Sequence, residues 1–167
     1  MNPRPHAREF AVYAYRAMKG SRTLHRAEPA VALRQPSRTP PLSILVVEDD
    51  LLLLRLNTEL LSRASYRVDA AADGAAAWLA LNTHNYDLLI TDNDMPQVSG
   101  IELLKKLYAA RMDLLVIMAT GALPEEEFTR FPGIRPAATI LKPFTFKEML
   151  TTVEEVLRGA YNIVAAA

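Results

Sequence analysis

From Leu42 onward, short apolar runs alternate with longer amphipathic stretches. Leu42 to Val47 is an apolar run without period-two alternation, which predicts a central parallel strand covered on both faces. Leu51 to Ala64 sets Leu53, Leu56, Leu60 and Leu61 on a helical stripe, with Asp49 or Asp50 available to cap its first turn. Tyr66 to Ala71 predicts a second, weaker strand, and Asp73-Gly74 opens a helix through Trp78, Leu79 and Leu81. Tyr86 to Thr91 is the third strand, and Ser99 to Ala110 a helix carrying Ile101, Leu104, Leu107 and Tyr108. Asp113 to Ala119 is a fourth apolar strand ending at Thr120, and Leu123-Pro124 starts a short acidic helix that Pro132-Gly133 terminates. Ala138 to Leu141, the fifth strand, runs into Lys142-Pro143-Phe144, and the last helix, Thr145 to about Arg158, buries Met149, Val153, Val156 and Leu157. Five strands alternating with five helices, without an internal repeat, specify an α/β fold: a doubly wound five-stranded parallel sheet with helices on both faces.

Residues 1–41 break this pattern. They hold six of the eleven prolines and seven arginines, and they cannot bury enough apolar surface to fold alone. Phe10, Ala14 and Ala17 recur at a spacing that allows a helix over 7–19 within an otherwise flexible extension. Eight Lys and Arg against Glu9 and Glu28 give this arm a surplus of six positive charges, which the remaining residues cancel with a surplus of six negative ones. Such an arm suits a flexible tail, a transit peptide, a contact for phosphate-bearing partners, or a start placed too early, with Met18 as a rival. The domain proper is expected over 42–160, with a short tail over 161–167.

At 167 residues the chain can bury a full core without staples. Having no cysteine, it lacks disulfides, zinc-thiolate sites and thiol catalysis, and it agrees with a reducing cytoplasm. His6, His25 and His84 are scattered, so any metal would be a hard ion held by oxygen. No apolar run approaches the roughly eighteen residues of a membrane span.

The chemistry collects at the strand ends. Asp92 lies just past the third strand, where Asn93, Asp94, Met95 and Pro96 break it, and in an open parallel sheet that rim is where ligands bind. Glu48 and Asp49 follow the first strand, Thr120 the fourth and Lys142 the fifth. Three acids at one edge repel unless a cation neutralises them, and Mg2+ does so while leaving room for water and phosphate oxygens. Asp92 can then serve as a nucleophile forming an aspartyl phosphate, with the Lys142 ammonium and the Thr120 hydroxyl for the phosphoryl oxygens. Gly74 and Gly100 read as backbone requirements rather than ligands.

Ile-Leu-Val-Val-Glu48-Asp49-Asp50, Ala-Asp73-Gly74, Asp92-Asn-Asp-Met95-Pro96 with Gly100, Ala-Thr120-Gly121 and Leu-Lys142-Pro143-Phe144 occur in order at these strand ends. From about Leu42 to Gly159 the chain thereby resembles the CheY-like receiver domain of two-component response regulators. The resemblance implies that Asp92 accepts the phosphoryl group from a sensor histidine kinase or histidine phosphotransfer protein. It implies Mg2+ on Glu48, Asp49, Asp92 and the backbone carbonyl of Asp94, contacts from Thr120 and Lys142 to the phosphoryl oxygens, and a cis Lys142-Pro143 bond. One departure stands out: three positions before the lysine, where many receivers carry an aromatic residue, this chain has Thr139.

Nine residues follow Arg158, too few for an output domain, so the expectation is a single-domain cytoplasmic signalling protein that acts by protein contact rather than by binding DNA. Two other readings compete. Asp92-Asn-Asp94 with a later Thr120 and Lys142 also resembles haloacid-dehalogenase-type phosphatases, although those carry the nucleophile on their first strand and an acidic pair after the lysine. A degenerate receiver that only binds, without phosphorylation, draws on Thr139.

Overall fold

The computed structural model describes residues 41–165. The basic extension and its helix over 7–19 lie, but for Pro41, outside the described residues. Five strands, β1 (Ser43–Val47), β2 (Arg67–Ala71), β3 (Leu88–Asp92), β4 (Leu115–Thr120) and β5 (Ala138–Leu141), form one sheet in the order β2-β1-β3-β4-β5. Every pairing is parallel, so all carboxyl ends lie along one edge. The connecting helices are α1 (Leu51–Arg63), α2 (Gly74–Thr83), α3 (Gly100–Ala109), α4 (Glu125–Arg130) and α5 (Phe146–Ala165), with a 3-10 turn at Pro132–Ile134. Among the described residues no helix is long and apolar enough to cross a membrane.

Alternate strand residues feed two cores. Ile44, Val46, Leu88, Ile90, Ile117 and Ile140 pack with Leu54 and Leu61 of α1 and with Met149, Val153 and Leu157 of α5. Leu45, Val47, Leu89, Val116 and Met118 face the other way, onto Ala77 and Leu81 of α2 and Leu103, Leu104 and Leu107 of α3. Burial on both faces is why residues 44–47 of β1 and 88–90 of β3 are unbroken apolar runs rather than alternating. Helix starts are set by side chains: Asp50 caps α1, Asp73 caps α2, and Ser99 with Glu102 forms a reciprocal capping box on α3.

The expected elements are all present, with shifted edges. β3 extends through Asp92, which pairs with Ala119, so the acid ends the strand instead of following it. β4 begins at Leu115 and takes in Thr120, because strand length follows ladder partners more than local sequence. In α1 the buried side chains are Leu54, Leu60 and Leu61, while Leu53 and Leu56 are half-buried. Four successive leucines leave the phase of that stripe undetermined until the sheet chooses it. Tyr108 is 63% exposed rather than part of the α3 stripe, where Leu103 turns inward. α5 runs to Ala165, well past Arg158: among the described residues no glycine has a positive φ, so Gly159 continues the helix, and the Tyr161 hydroxyl donates to Asp87.

Gly100 starts α3 directly against the end of β3. A Cβ there would stand 2.7 Å from the Asp92 carbonyl oxygen and 3.0 Å from the Asn93 Cα, both backbone atoms that cannot swing aside. At Gly159 nothing lies within 4 Å. Gly100→Ala is therefore expected to lower stability by about 1–3 kcal/mol, whereas Gly159→Ala raises it by about 0.5–1 kcal/mol through the gain in helix propensity. Denaturant midpoints at unchanged slope read both; shifts of the same sign would contradict this packing.

Candidate functional site

Glu48 continues the line of β1, its N–H donating to the Ala71 carbonyl at 3.2 Å, and its side chain is buried. Asp49 turns outward to solvent, and Asp50 turns back to accept the Leu52 and Leu53 amides of α1 at 2.9 and 3.3 Å. Asp92, 4% exposed, ends β3 beside β4. Leu141 pairs with Thr120, and the Lys142 N–H donates to the Thr120 carbonyl at 2.8 Å, which sets the lysine one step beyond the sheet. The Lys142-Pro143 bond is cis.

From there the Lys142 ammonium reaches back over the edge to Asp92 Oδ2 at 2.5 Å and Glu48 Oε2 at 3.3 Å. The remaining oxygens are also engaged: Asp92 Oδ1 accepts from the Asp94 amide at 2.9 Å, and Glu48 Oε1 from the Asp50 amide at 3.4 Å. One carboxylate oxygen from each of Glu48, Asp49 and Asp92 lies within 4.8 Å of the others. Burial, reinforced by the Asp92 charge, pushes the Glu48 carboxyl up to about 7 in spite of the nearby lysine. Burial acts to lower the Lys142 ammonium, but its bond to Asp92 and the two carboxylate charges outweigh it and hold the group above the ordinary lysine value.

Of the residues expected at this site, Glu48, Asp49, Asp92 and Lys142 thus converge. Thr120 is fully buried at the same edge, but its hydroxyl points into its own turn, donating to the Ala122 carbonyl at 2.8 Å and accepting the Ala122 amide at 3.4 Å. Asp94 is exposed, and its carboxylate accepts the Gly121 amide at 3.1 Å. Asn93 carried no expectation from sequence beyond breaking the strand. Its side-chain oxygen accepts the Ile101 amide at 3.1 Å and its own N–H donates to the Ala119 carbonyl at 2.8 Å, so it ties α3 and β4 to the end of β3. Only the turn-forming habit of asparagine could have signalled it. Three carboxylates against one ammonium leave an excess of negative charge among hard oxygen donors, which suits a small divalent cation.

A family model described as the response regulator receiver domain matches residues 44–154. The chain is 31% identical over 117 residues to the response regulator receiver protein CpdR of Brucella abortus, covering 70% of this chain and 98% of CpdR. It is 33% identical over 112 residues to the transcriptional regulatory protein CutR of Streptomyces coelicolor, spanning only 51% of that protein. Among solved structures, a CheY-like receiver domain from Methanospirillum hungatei superposes with a TM-score of 0.67 at 26% identity, over 73% of this chain and 98% of that one. The response regulator TrrA of Thermotoga maritima, in complex with Mg2+ and BeF, does so with a TM-score of 0.60 at 28% identity, over 69% and 98%. A 2-1-3-4-5 parallel sheet whose edge gathers an acid pair, a strand-end aspartate and a lysine, in a chain matched over most of its domain, belongs to the receiver domain family of two-component response regulators.

Proposed function

We propose that Asp92 is the phosphoacceptor of this receiver, taking a phosphoryl group from a phosphohistidine on a sensor histidine kinase or histidine phosphotransfer protein. The convergence of Lys142, Glu48 and Asp49 on Asp92 is the observation that carries this reading. The protein is then a cytoplasmic signalling phosphoacceptor, not a turnover enzyme, and its domain over 42–160 passes the signal on by protein contact. An acid pair at the end of β1, ahead of the nucleophile in the chain, speaks against the phosphatase arrangement.

Glu48, Asp49, Asp92 and the backbone carbonyl of Asp94 would hold Mg2+; the three carboxylates fit, being oxygen donors that lie mutually close and are open to water at Asp49. When bound, the ion offsets the carboxylate charge that opposes an incoming phosphoryl group. In the transfer a carboxylate oxygen of Asp92 bonds to phosphorus as the P–N bond breaks. The imidazole keeps the electron pair and leaves neutral, carrying a proton on its other nitrogen. Lys142 lies in contact with the attacking carboxylate, so its ammonium neutralises charge gathering on the phosphoryl oxygens. Thr120 would redirect its hydroxyl from the Ala122 carbonyl to those oxygens. At position 139 a half-buried threonine leaves no aromatic ring to follow that movement.

Incubation with labelled acetyl phosphate and Mg2+ is expected to label the wild type in a hydroxylamine-sensitive bond, as an acyl phosphate requires. Asp92→Asn and chelation of the metal should each reduce the label to background. A wild type that takes no label, or an Asp92→Asn protein that labels equally well, overturns the acceptor reading and leaves a receiver that only binds.

Metal-free stability should also carry the mark of Glu48. Its carboxyl keeps its proton to about pH 7 in the fold but only to its ordinary value, 4.5, when unfolded. Between those limits the native state binds more protons, so stability falls as pH rises through the window. Denaturation midpoints are expected to decline from pH 4.5 to 7 in the metal-free wild type and to decline less in Glu48→Gln. Near pH 7.5, Mg2+ should stabilise the wild type more than the variant. Equal pH profiles for the two proteins would contradict the assignment.

A further inference from the structure

The turn after β3 and the turn after β4 are joined at the sheet edge by one side chain. The Gly121 N–H donates to Asp94 Oδ2 at 3.1 Å across 27 positions of sequence. Asp94 is held from the other side, where its own N–H donates to Asp92 Oδ1 at 2.9 Å and its Oδ1 faces the Asn93 amide group at 3.4 Å. Asn93 is in turn bound to Ala119 of β4 and to the first turn of α3. The base of this link is therefore rigid.

Its other end is not. Gly121, Ala122 and Leu123 are exposed, and the α4 that follows has no side-chain cap and no buried residue. Besides the Asp94 bond, the polar side-chain tie on that turn is the Thr120 hydroxyl on Ala122. Few buried contacts and exposed hydrogen bonds mark a segment that opens at low free energy. Glycine is not needed for the approach itself, since a Cβ at 121 would meet Asp94 Oδ2 at 3.5 Å, an ordinary contact.

We propose that Asp94 is a charge-sensitive latch: in the unphosphorylated protein its carboxylate holds the β4–α4 turn to the β3–α3 turn, and negative charge arriving on Asp92 releases it. The charge-sensitive half rests on Asp92 as phosphoacceptor; the latch itself does not. Converting the Asp92 carboxylate to an acyl phosphate replaces one negative charge with roughly two, beside a carboxylate whose backbone is already bound to Asp92. Repulsion pushes the Asp94 side chain outward, and the Gly121 N–H loses its acceptor. Asp94 is thus a positioning residue that sets the resting state of the turn leading into α4.

The test is water exchange of the residue 121 amide, followed by NMR in the full chain. Without phosphodonor or metal, Asp94→Ala should speed that exchange about threefold to tenfold, the worth of one exposed hydrogen bond. Asp94→Asn keeps a carbonyl acceptor and should stay within about twofold of wild type, as should Gly121→Ala. With acetyl phosphate and Mg2+, the wild-type amide should reach the Asp94→Ala rate, while Asp94→Asn, having no charge to repel, stays protected. Unchanged exchange in Asp94→Ala disproves the latch, and equal release in phosphorylated Asp94→Asn disproves the role of charge. If no label reaches Asp92, the charge response falls with the acceptor reading, while the comparison in unphosphorylated protein still decides the latch.

Discussion

The ammonium of Lys142, set between Asp92 and Glu48, is the interaction on which the rest of the structure depends. Two carboxylates withdrawn from water at one edge of a sheet cost several kcal/mol each unless a counter-charge meets them at close range. The counter-charge comes from a residue 50 positions away from one and 94 from the other. Such a meeting requires β1, β3 and β5 to end at the same edge, which an all-parallel order guarantees and an antiparallel one would not. The ammonium only partly balances the site, because Asp49 adds a third carboxylate, and burial together with the Asp92 charge pushes the Glu48 carboxyl up to about 7.

Three consecutive acids after β1 take three different tasks because of where the backbone turns. Glu48 still follows the strand and is buried, Asp49 faces water, and Asp50 has left the strand far enough to cap α1. The same economy operates after β3. Asp92 faces Lys142, Asn93 ties the turn to α3 and β4, and Asp94 reaches across to Gly121. The close approach of α3 to the strand end, with no room for a side chain at Gly100, compresses that turn and brings these successive side chains into separate contacts.

On the β4 side the edge is looser. Thr120 is buried and fixed by its strand, yet the turn beyond it leads into a six-residue helix with no buried side chain. That helix is held to α3 from outside, by Lys105 on Glu127 at 2.6 Å and by the same ammonium over the Phe131 ring at 4.7 Å. The site thus joins a half packed deep in the sheet, built on β1 and β3, to a half with few buried contacts.

The order of elements, the doubly wound parallel class and the residues of the acidic edge were legible in the amino-acid sequence. Apolar runs followed at once by Glu48-Asp49, Asp92, Thr120 and Lys142 state locally what a strand end carries. Which of Asp49 and Asp50 caps α1, which leucines of that helix face the sheet, and that α5 continues through Gly159 were decided by tertiary structure. Those choices depend on the phase of a helix against its sheet or on a distant partner, such as Asp87 for Tyr161. The direction of the Thr120 hydroxyl and the bond from Gly121 to Asp94 were likewise invisible, because a side chain's partner across 27 residues leaves no trace in local pattern. Periodicity reports which positions are buried; only the folded sheet brings together groups that the sequence keeps apart.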